Sequence, residues 1–314
     1  MEAVITAITD SGEIRVFELS PRDGAPLPAY QAGAHLDLTL GNGMQRQYSL
    51  CCAQPSPHSY RIAVKREPQS RGGSAWLHTE ARVGTVLPIG APRNAFALMP
   101  QARQHLLFAG GIGITPILSM AYELLRRGQP FELHYFVRDA AALAFAEELR
   151  AAPLARHVRL AVGLGAEAAA ARIQTTLYTA QAEGTQVYVC GPPGFMDTVK
   201  TRAAARLGAA AVHAESFSAP AGGGDDQPFI LRLLRSGRDI TVPAGETALA
   251  SLQAAGLDVE CSCEVGVCGS CRLGVADGVP EHRDAVLSEQ ERNSNRCFMP
   301  CVSRSRTPVL QIDL

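Results

Sequence analysis

Three cysteines stand close together near the end of the chain, in the segment CEVGVCGSC that begins at Cys263. Four residues separate Cys263 from Cys268, two separate Cys268 from Cys271, and Cys301 follows after another twenty-nine residues (272–300). A Cys-x4-Cys-x2-Cys triplet followed by a distant cysteine is the spacing with which plant-type proteins bind a 2Fe–2S cluster. The segment therefore predicts a one-electron redox centre.

A zinc site or a set of unconnected buried thiols is the alternative. Zinc sites favour cysteine pairs two to four residues apart, and a triplet with one remote partner fits them poorly. The unbroken triplet favours Cys263 over Cys261 as the first ligand, whereas the spacing does not decide between Cys301 and Cys297 as the last. The nine cysteines are an odd number, and six of them lie between 261 and 301, which favours a metal centre over a disulfide framework.

Two glycines in this segment, Gly266 and Gly269, suit a ligand loop. A loop wrapped around a small inorganic core needs positive φ angles and close backbone approach, which glycine allows at low cost. Their backbone N–H groups can also point at sulfur, and such hydrogen bonds tune the metal centre. An electron acceptor is expected to dock at the exposed end of the loop, around Glu264–Ser270.

The composition excludes several classes of partner. The chain has 314 residues, 46% of them hydrophobic and 19% charged, and its net charge is −1. This near-neutral charge gives no electrostatic reason to expect nucleic acid or an anionic membrane. No apolar run reaches the roughly 18–20 residues of a membrane span, and the first twenty residues carry acidic residues, unlike a signal peptide. A cytoplasmic protein is expected.

The secondary structure that the sequence predicts changes along the chain, and these elements must position the redox centre. The first hundred residues alternate over short stretches such as EIRVFEL (13–19) and YRIAVKRE (60–67), which predicts an antiparallel β-barrel or sandwich. From about residue 104, short apolar strands alternate with helical segments, which predicts a doubly wound parallel sheet. We predict domains at 1–102 and 103–219, a glycine-rich linker at 220–227, and a third domain at 228–314.

Glycine-rich turns follow two of the predicted parallel strands. GGIGITP (110–116) lies between a strand and a helix, where a doubly wound sheet presents helix N–H groups to a phosphate. It is neither a GxGxxG nor a Walker sequence, and a tight turn without a ligand is the alternative. CGPPGFM (190–196) follows the strand TQVYV. Two such turns at strand ends of one sheet would flank a single crevice.

Two motifs in the first hundred residues suit a second phosphate. The guanidinium of Arg46 in RQYSL (46–50) can donate two charge-assisted hydrogen bonds to one phosphate. RGGS (71–74) opens a short predicted helix whose backbone N–H groups can complete a cradle. For RQYSL alone, an ordinary strand is the alternative.

These motifs resemble those of one family. CEVGVCGSC with CVSRS (301–305) resembles the C-terminal ferredoxin domain of the phthalate dioxygenase reductase and vanillate demethylase reductase family, which implies a β-grasp fold and Cys301 as the fourth ligand. The two glycine-rich turns resemble the nicotinamide-binding half of the ferredoxin–NADP reductase superfamily, and RQYSL and RGGS resemble its flavin motifs. The order flavin, nicotinamide, ferredoxin implies FMN, and the sequence gives no independent evidence against FAD.

The resemblance also implies a set of site residues. Those implied for the flavin are Arg46, Gln47, Tyr48, Ser49, Ala63, Val64, Lys65, Gly72, Gly73, Ser74 and Phe217. Those implied for the nicotinamide nucleotide are Gly110, Gly111, Gly113, Thr115, Pro116, Arg138, Asp139, Cys190, Gly191, Pro192, Phe195 and Met196. Three of these are implied at the reacting rings: Ser49 near flavin N5, Cys190 near the nicotinamide, and Phe217 stacked on the flavin.

Arg138 and Asp139 fall where the adenosine ribose would lie, and they favour different nucleotides. Asp139 could accept a hydrogen bond from a 2′-hydroxyl, whereas Arg138 could attract a 2′-phosphate. The resemblance favours NADH.

The combined motifs predict an NADH-dependent reductase. Nicotinamide gives up two electrons together and a 2Fe–2S cluster takes one at a time, and a flavin can join the two. Three cofactor motifs in one chain, without a local motif for an oxygen-activating site, predict a separate Rieske-type oxygenase as the acceptor. A monomer suits such a shuttle, although the sequence does not determine the oligomeric state. A cytochrome or another ferredoxin as the acceptor, and a non-catalytic redox sensor, are the alternatives. The segment His282–Asp284 is expected in a surface loop without acid–base function.

Overall fold

The structure is a computed structural model, and it describes residues 1–11, 13–52, 58–68, 72–217 and 226–314. The described residues form two compact units, Met1–Glu215 and Ser216–Leu314. Most of the predicted linker at 220–227 lies outside the described residues, as does Arg71 of the RGGS motif. No described helix is both long and apolar enough to cross a membrane.

The first part of unit one is antiparallel. Its elements are β1 (Glu2–Ser11), β2 (Ile14–Pro21), β3 (His35–Thr39), β4 (Gln45–Ser49), β5 (Tyr60–Lys65), α1 (Gly73–Thr79) and β6 (Val86–Pro88). The described strands form a sheet in the order β5-β2-β1-β6 and a β3–β4 ribbon. Single bridges from the ribbon, including Leu38 to Ile89 and Leu50 to Ile62, join it to the sheet. Alternate residues such as Phe17 and Leu36 fill the interior, as strand periodicity requires.

The second part of unit one is an α/β sheet. Its elements are β7 (Gln104–Gly110), α2 (Ile114–Arg127), β8 (Phe131–Val137), α3 (Ala146–Arg150), β9 (Val158–Val162), α4 (Ala166–Thr179), β10 (Thr185–Cys190), α5 (Pro193–Leu207) and β11 (Val212–Glu215). The described strands are parallel in the order β11-β10-β7-β8-β9. The middle of strand β7 (106–109) is a continuous apolar run because both of its faces are buried, Leu107 on one and Phe108 on the other.

A partly buried ion pair joins the antiparallel part of this unit to the α/β sheet. Arg61 on β5 donates from its two terminal nitrogens to both Glu148 oxygens of α3, at 2.8 and 3.1 Å. The same guanidinium lies 5.2 Å from the centre of the Phe145 ring. Arg61 also donates to the carbonyl of Cys51, two residues after the end of β4. A bidentate pair fixes orientation as well as distance, so β4 is held in place against the sheet.

Unit two is an α+β fold. Its elements are β12 (Phe229–Leu233), β13 (Asp239–Val242), α6 (Ala248–Ala254), β14 (Leu273–Asp277), β15 (Pro280–Glu281), α7 (Glu289–Ser294), β16 (Cys297–Phe298), β17 (Arg304–Ser305) and β18 (Val309–Ile312). The described strands form a mixed sheet in the order β13-β12-β18-β14-β16, in which β12 and β18 are parallel. Helix α6 is capped by Thr247, whose hydroxyl accepts from the Ala250 N–H at 3.1 Å. The apolar face of α6 packs into the core beside the sheet.

Candidate functional site

The two predicted nucleotide turns lie side by side at the carboxyl ends of β7 and β10. These strands are neighbours at the point where the strand order reverses, which is where open α/β sheets bind ligands. A Cβ on Gly113 would lie 2.2 Å from the Cys190 carbonyl oxygen, and a Cβ on Gly110 would lie 2.9 Å from Phe195 and Pro192. Glycine is therefore required at both positions because the two turns touch.

Two helices begin at this edge of the sheet. Helix α2 starts at Ile114 within the first turn, and α5 starts at Pro193 within the second. The first backbone N–H groups of a helix lack intrahelical partners and suit a phosphate. Thr115 is buried, and its hydroxyl donates to the Ile112 carbonyl at 3.1 Å, so this side chain serves the turn.

Three strand ends bring Ser49, Cys190 and Glu215 together. Cys190 and Glu215 are register partners on β10 and β11, and the Ser49 side chain at the end of β4 hydrogen-bonds to Glu215. His35 pairs with Ser49 across the ribbon, and its Nδ1 lies 4.0 Å from Glu215 Oε1. Glu215 Oε2 is buried without a hydrogen-bond partner among the described residues. A buried oxygen without a partner is costly unless a ligand or a proton satisfies it.

Burial sets the protonation of this group. It raises the pKa of Glu215 to about 8, although the hydrogen bond from Ser49 acts in the opposite direction. Burial, and then the nearby Glu215 charge, hold the pKa of the Cys190 thiol well above its usual range. At neutral pH, Glu215 is therefore mostly protonated and Cys190 is a neutral thiol.

The flavin motifs also meet in the structure. A Cβ on Gly73, the first residue of α1, would lie 2.8 Å from Arg46 Cγ, so Arg46 packs directly across the start of that helix. Gly72 has a φ of 105°, which glycine adopts without strain. The Ser74 hydroxyl accepts from the Glu67 N–H at 3.2 Å. Two motifs twenty-five residues apart thus share one surface, as a phosphate cradle requires.

The remaining residues implied for the flavin lie on β4 and β5. Gln47 donates to Asp37 Oδ1 at 3.0 Å, and Tyr48 is half-buried, with burial raising the pKa of its phenol. Val64 accepts from His78 Nε2 at 2.9 Å through its carbonyl, and Lys65 pairs with Glu67 at 3.0 Å. Strand β5 contributes Ala63 to the core that it shares with the α/β sheet.

In unit two, the four predicted cysteine ligands form two pairs. Cys271 and Cys301 have their Sγ atoms 3.3 Å apart, and Cys263 and Cys268 hydrogen-bond to each other through their side chains. Among the described residues, no group of three or more His, Cys, Asp or Glu side chains could hold a single metal ion. Two pairs of thiols match a cluster of two irons, each taking two cysteines, better than one tetrahedral zinc.

Backbone N–H groups surround these sulfur atoms. Val265 and Val267 donate to Cys263 Sγ at 3.4 and 3.5 Å, and the Ser270 N–H donates to Cys268 Sγ at 3.5 Å. Hydrogen bonding with Cys263 lowers the pKa of Cys268 to about 5. The same hydrogen bond raises the pKa of Cys263, so one sulfur of this pair is favoured as a thiolate, the form in which cysteine binds metal.

Backbone strain marks the same loop. Gly266 and Gly269 have φ angles of 72° and 80°, and Glu264 has a φ of 53°, which is uncommon for a residue with a side chain. A Cβ on Gly266 would lie 2.5 Å from Val302 Cγ2. A side chain at position 266 would therefore clash with Val302, and Glu264 holds a backbone conformation that costs free energy in a residue with a side chain.

Two further cysteines lie close to the loop without joining a pair. Cys297 is buried in β16 and contacts Arg272, and Cys261 Sγ is 3.6 Å from Gln253 Nε2. The structure therefore separates Cys301 from Cys297, which the spacing alone does not.

The expectation that His282–Asp284 forms a surface loop is wrong. The Asp284 side chain is fully buried and accepts from the N–H groups of Val286 and Leu287 at 3.1 and 2.8 Å. Its other oxygen accepts from the Ser303 hydroxyl at 3.4 Å. Directly after it, the Ala285 N–H donates to the carbonyl of Gly266 at 2.8 Å. The resemblance suggested an exposed loop, but the Asp284 side chain is buried and the segment hydrogen-bonds to the cysteine loop.

Comparisons with known proteins agree with this geometry. Residues 91–212 match the N-terminal domain of dimethylamine monooxygenase subunit DmmA-like proteins, and residues 231–306 match the 2Fe-2S iron-sulfur cluster binding domain. The chain is 43% identical to vanillate O-demethylase oxidoreductase of Pseudomonas sp. (strain HR199) over 100% of both chains. It is 36% identical to phthalate dioxygenase reductase with a TM-score of 0.80, over 100% of this chain and 98% of that one.

The chain belongs to the phthalate dioxygenase reductase and vanillate O-demethylase reductase family. The fold comparison confirms the predicted multidomain architecture, and the domain match confirms the 2Fe–2S centre. The predicted oxidoreductase, a reductase component of an oxygenase system, is confirmed as well. The reductase is also 34% identical to an intact type IV self-sufficient cytochrome P450 monooxygenase, with a TM-score of 0.80, over 100% of this chain and 41% of that one.

Two charged residues that contact predicted site residues were given no role by the sequence motifs. Glu215 stands two residues before Phe217, whose side chain is 38% exposed at the start of unit two. Glu13 contacts Arg138 across unit one, from a part of the chain that carries no motif. Two signals for Glu215 are its place in the segment Glu215–Phe217, which the resemblance marks through Phe217, and its position at the end of a parallel strand, where functional side chains collect.

Proposed function

We propose that this reductase takes electrons from NADH, uses FMN and its 2Fe–2S cluster to carry them, and delivers them as a monomer to a separate Rieske-type oxygenase. The observation that carries this proposal is the convergence of Ser49, Cys190 and Glu215 at the reversal point of a nucleotide-binding sheet. A thiol-lined loop with two cysteine pairs in the same chain supplies the one-electron end.

The residues of unit one bind and orient the two rings. The turns after β7 and β10, with the helices that follow them, are suited to hold the nucleotide pyrophosphate. Arg46 and the start of α1 are suited to hold the flavin phosphate. A bound flavin would convert the two-electron donation of the nicotinamide into the one-electron steps that the cluster accepts. Arg61 and Glu148 keep β4 at a fixed position against the sheet in which those turns lie.

Glu215 holds a proton and hydrogen-bonds to Ser49, beside the position proposed for the flavin. Because the pKa of Glu215 is raised to about 8, its carboxyl group holds a proton at neutral pH within hydrogen-bonding reach of Ser49. The neutral Cys190 thiol packs against them as a small apolar group and adds no charge where the nicotinamide must bind. Buried, mostly neutral side chains would thus line the place where the two rings are proposed to meet, and they would keep water away from it.

The first test is a visible absorption spectrum of the purified protein before and after anaerobic addition of NADH, with the released flavin identified by mass. Flavin and iron–sulfur bands that bleach with NADH, and a flavin of the mass of FMN, are expected. A protein that stays colourless after reconstitution with iron, sulfide and flavin would overturn the proposal. Light scattering of the loaded protein is expected to give the mass of one chain.

A cytochrome is the second candidate acceptor, because the similarity to a self-sufficient cytochrome P450 monooxygenase covers the whole chain. The two acceptors are compared by adding a Rieske-type oxygenase or a cytochrome P450 to the NADH-reduced protein. We expect faster reoxidation of the iron–sulfur bands by the Rieske-type oxygenase. Reoxidation by the cytochrome alone would assign the second function. Steady turnover with either acceptor excludes a non-catalytic sensor.

A further inference from the structure

The end of strand β8 carries two side chains that favour different nucleotides. In doubly wound sheets the residue after the second strand lies at the adenosine ribose, where a carboxylate suits a free 2′-hydroxyl and an arginine suits a 2′-phosphate. Here β8 is the second strand, and Arg138 and Asp139 follow it directly. Neither the sequence nor the fold of the sheet alone decides which of the two controls nucleotide choice.

The ion pairs of Arg138 suggest an answer. Its guanidinium contacts Glu13 Oε1, and its Nε donates to Asp139 Oδ2 at 3.1 Å. The other Asp139 oxygen accepts from the Ala142 N–H at 2.9 Å, which fixes the carboxylate in place. Two carboxylates thus face one guanidinium, so this group of three side chains has a net charge of −1.

The backbone at Glu13 is anchored, although its side chain is exposed. Its carbonyl accepts from the Arg66 N–H at 3.1 Å, and the next residue, Ile14, pairs with Lys65 at the end of β5. Ile14 is buried in the same core as Val137, the residue before Arg138. The carboxylate therefore reaches Arg138 from the antiparallel part of the unit, beside the strand that carries residues implied for the flavin.

We propose that Glu13 determines nucleotide choice by holding the Arg138 guanidinium in an ion pair, so that the adenosine end of the site selects NADH over NADPH. This inference rests on the proposed use of a nicotinamide nucleotide. A 2′-phosphate carries up to two negative charges, and it meets a group whose net charge is already −1. Its best donor, Arg138, is engaged by two carboxylates. A free 2′-hydroxyl adds no charge and can still donate to Asp139.

The test compares NADH and NADPH oxidation by the flavin-loaded protein and by its Glu13→Gln variant, with ferricyanide as the acceptor. Removing one negative charge and releasing Arg138 is expected to raise the ratio of kcat/KM for NADPH to that for NADH about tenfold. A binding measurement that needs no turnover gives the same comparison. The Kd for adenosine 2′,5′-bisphosphate should fall relative to that for adenosine 5′-monophosphate by a similar factor.

Two further variants separate this mechanism from a general change in charge. Glu2→Gln removes an exposed glutamate of similar exposure that pairs with Arg22 on the same sheet, and it should leave both ratios unchanged. The double variant Glu13→Gln with Arg138→Gln should lose the gain in NADPH use, because the released guanidinium is what binds the phosphate. Unchanged ratios in Glu13→Gln, or a gain that persists without Arg138, would overturn the inference. A wild-type protein that oxidises neither nucleotide would instead contradict the proposed function.

Discussion

The nucleotide crevice of unit one and the cysteine loop of unit two both depend on glycine, but for different reasons. Gly113 has an ordinary φ of −61°, and only the contact with Cys190 excludes a side chain there. Gly266 and Gly269 have positive φ angles, so the path of the chain itself favours glycine. A loop defined by its own conformation is recognisable in a short segment, whereas a site defined by contacts between distant segments is not.

The functional side chains of the two regions differ in the same way: those of the cysteine loop are close together in the sequence, and those of the crevice are not. Three of the four cysteines lie within nine residues, and their spacing alone predicts the metal. Ser49, Cys190 and Glu215 are more than one hundred residues apart at the extremes and meet only because β4, β10 and β11 end at the same place. Each region can be tested by substituting the residue whose spacing, contact or charge defines it.

The largest effect is expected from Cys301→Ser. It removes one sulfur of the Cys271 pair, and loss of a proposed cluster ligand should cost more than the roughly 10–100-fold typical of residues behind the ligands. We expect loss of the iron–sulfur absorption and at least about a tenfold drop in cytochrome c reduction. Flavin reduction by NADH should persist, since the crevice lies in the other unit.

Cys297→Ser is the matched control for this prediction. Cys297 is a buried cysteine of the same unit that forms no pair, and its variant should keep the iron–sulfur bands. If Cys297→Ser bleached the protein and Cys301→Ser did not, the assignment of the fourth ligand would be wrong.

The next largest effect concerns the pH dependence of stability in the ligand-free protein. The folded pKa of Glu215 is raised to about 8, so the folded state binds this proton more tightly than the unfolded chain does. The stabilisation is therefore fully present below the unfolded pKa and is lost as pH rises through about 8. Relative to Glu215→Gln, the free energy of unfolding of the wild type should fall by on the order of 2–4 kcal/mol over this interval.

Urea unfolding at a series of pH values measures this difference. The Gln variant lacks the titrating group, so its own pH dependence should be flatter. Parallel curves for the two proteins between pH 5 and 9 would show that Glu215 is not protonated in the folded state.

A smaller effect on the same crevice is expected from Gly113→Ala. The new Cβ would lie 2.2 Å from the Cys190 carbonyl oxygen, so the two turns must separate. Overpacking of this kind costs about 1–3 kcal/mol of unfolding free energy. Gly194→Ala in the second turn is the control, because a Cβ there meets no described atom within 4 Å. Equal stability of both variants in urea would show that the turns are not in tight contact.

The smallest effect is expected from charge reversal at the exposed end of the cysteine loop. If the oxygenase docks around Glu264–Ser270, Glu264→Lys should change its rate of reduction about two- to tenfold at low ionic strength, and less at high salt. Asp239→Lys, on the edge strand β13 at the other side of the sheet from β16, should not. Identical rates for Glu264→Lys and the wild type would count against this docking position.

Much of the fold was predictable because its signals are local. Alternation over a few residues predicted the antiparallel strands, and apolar runs followed by glycine and a helical period predicted the parallel sheet. The cysteine triplet and the two glycine-rich turns were also predictable, because the residue types that each of them needs lie within a few positions of one another.

The tertiary structure decided what depends on distant contacts. The choice of Cys301 over Cys297 as the partner of Cys271, the burial of Asp284, and the ion pair between Glu13 and Arg138 are all of this kind. No periodicity in the sequence records which strands become neighbours or in what register. Those are fixed only when the apolar faces pack, and side chains far apart along the chain then come to share one site.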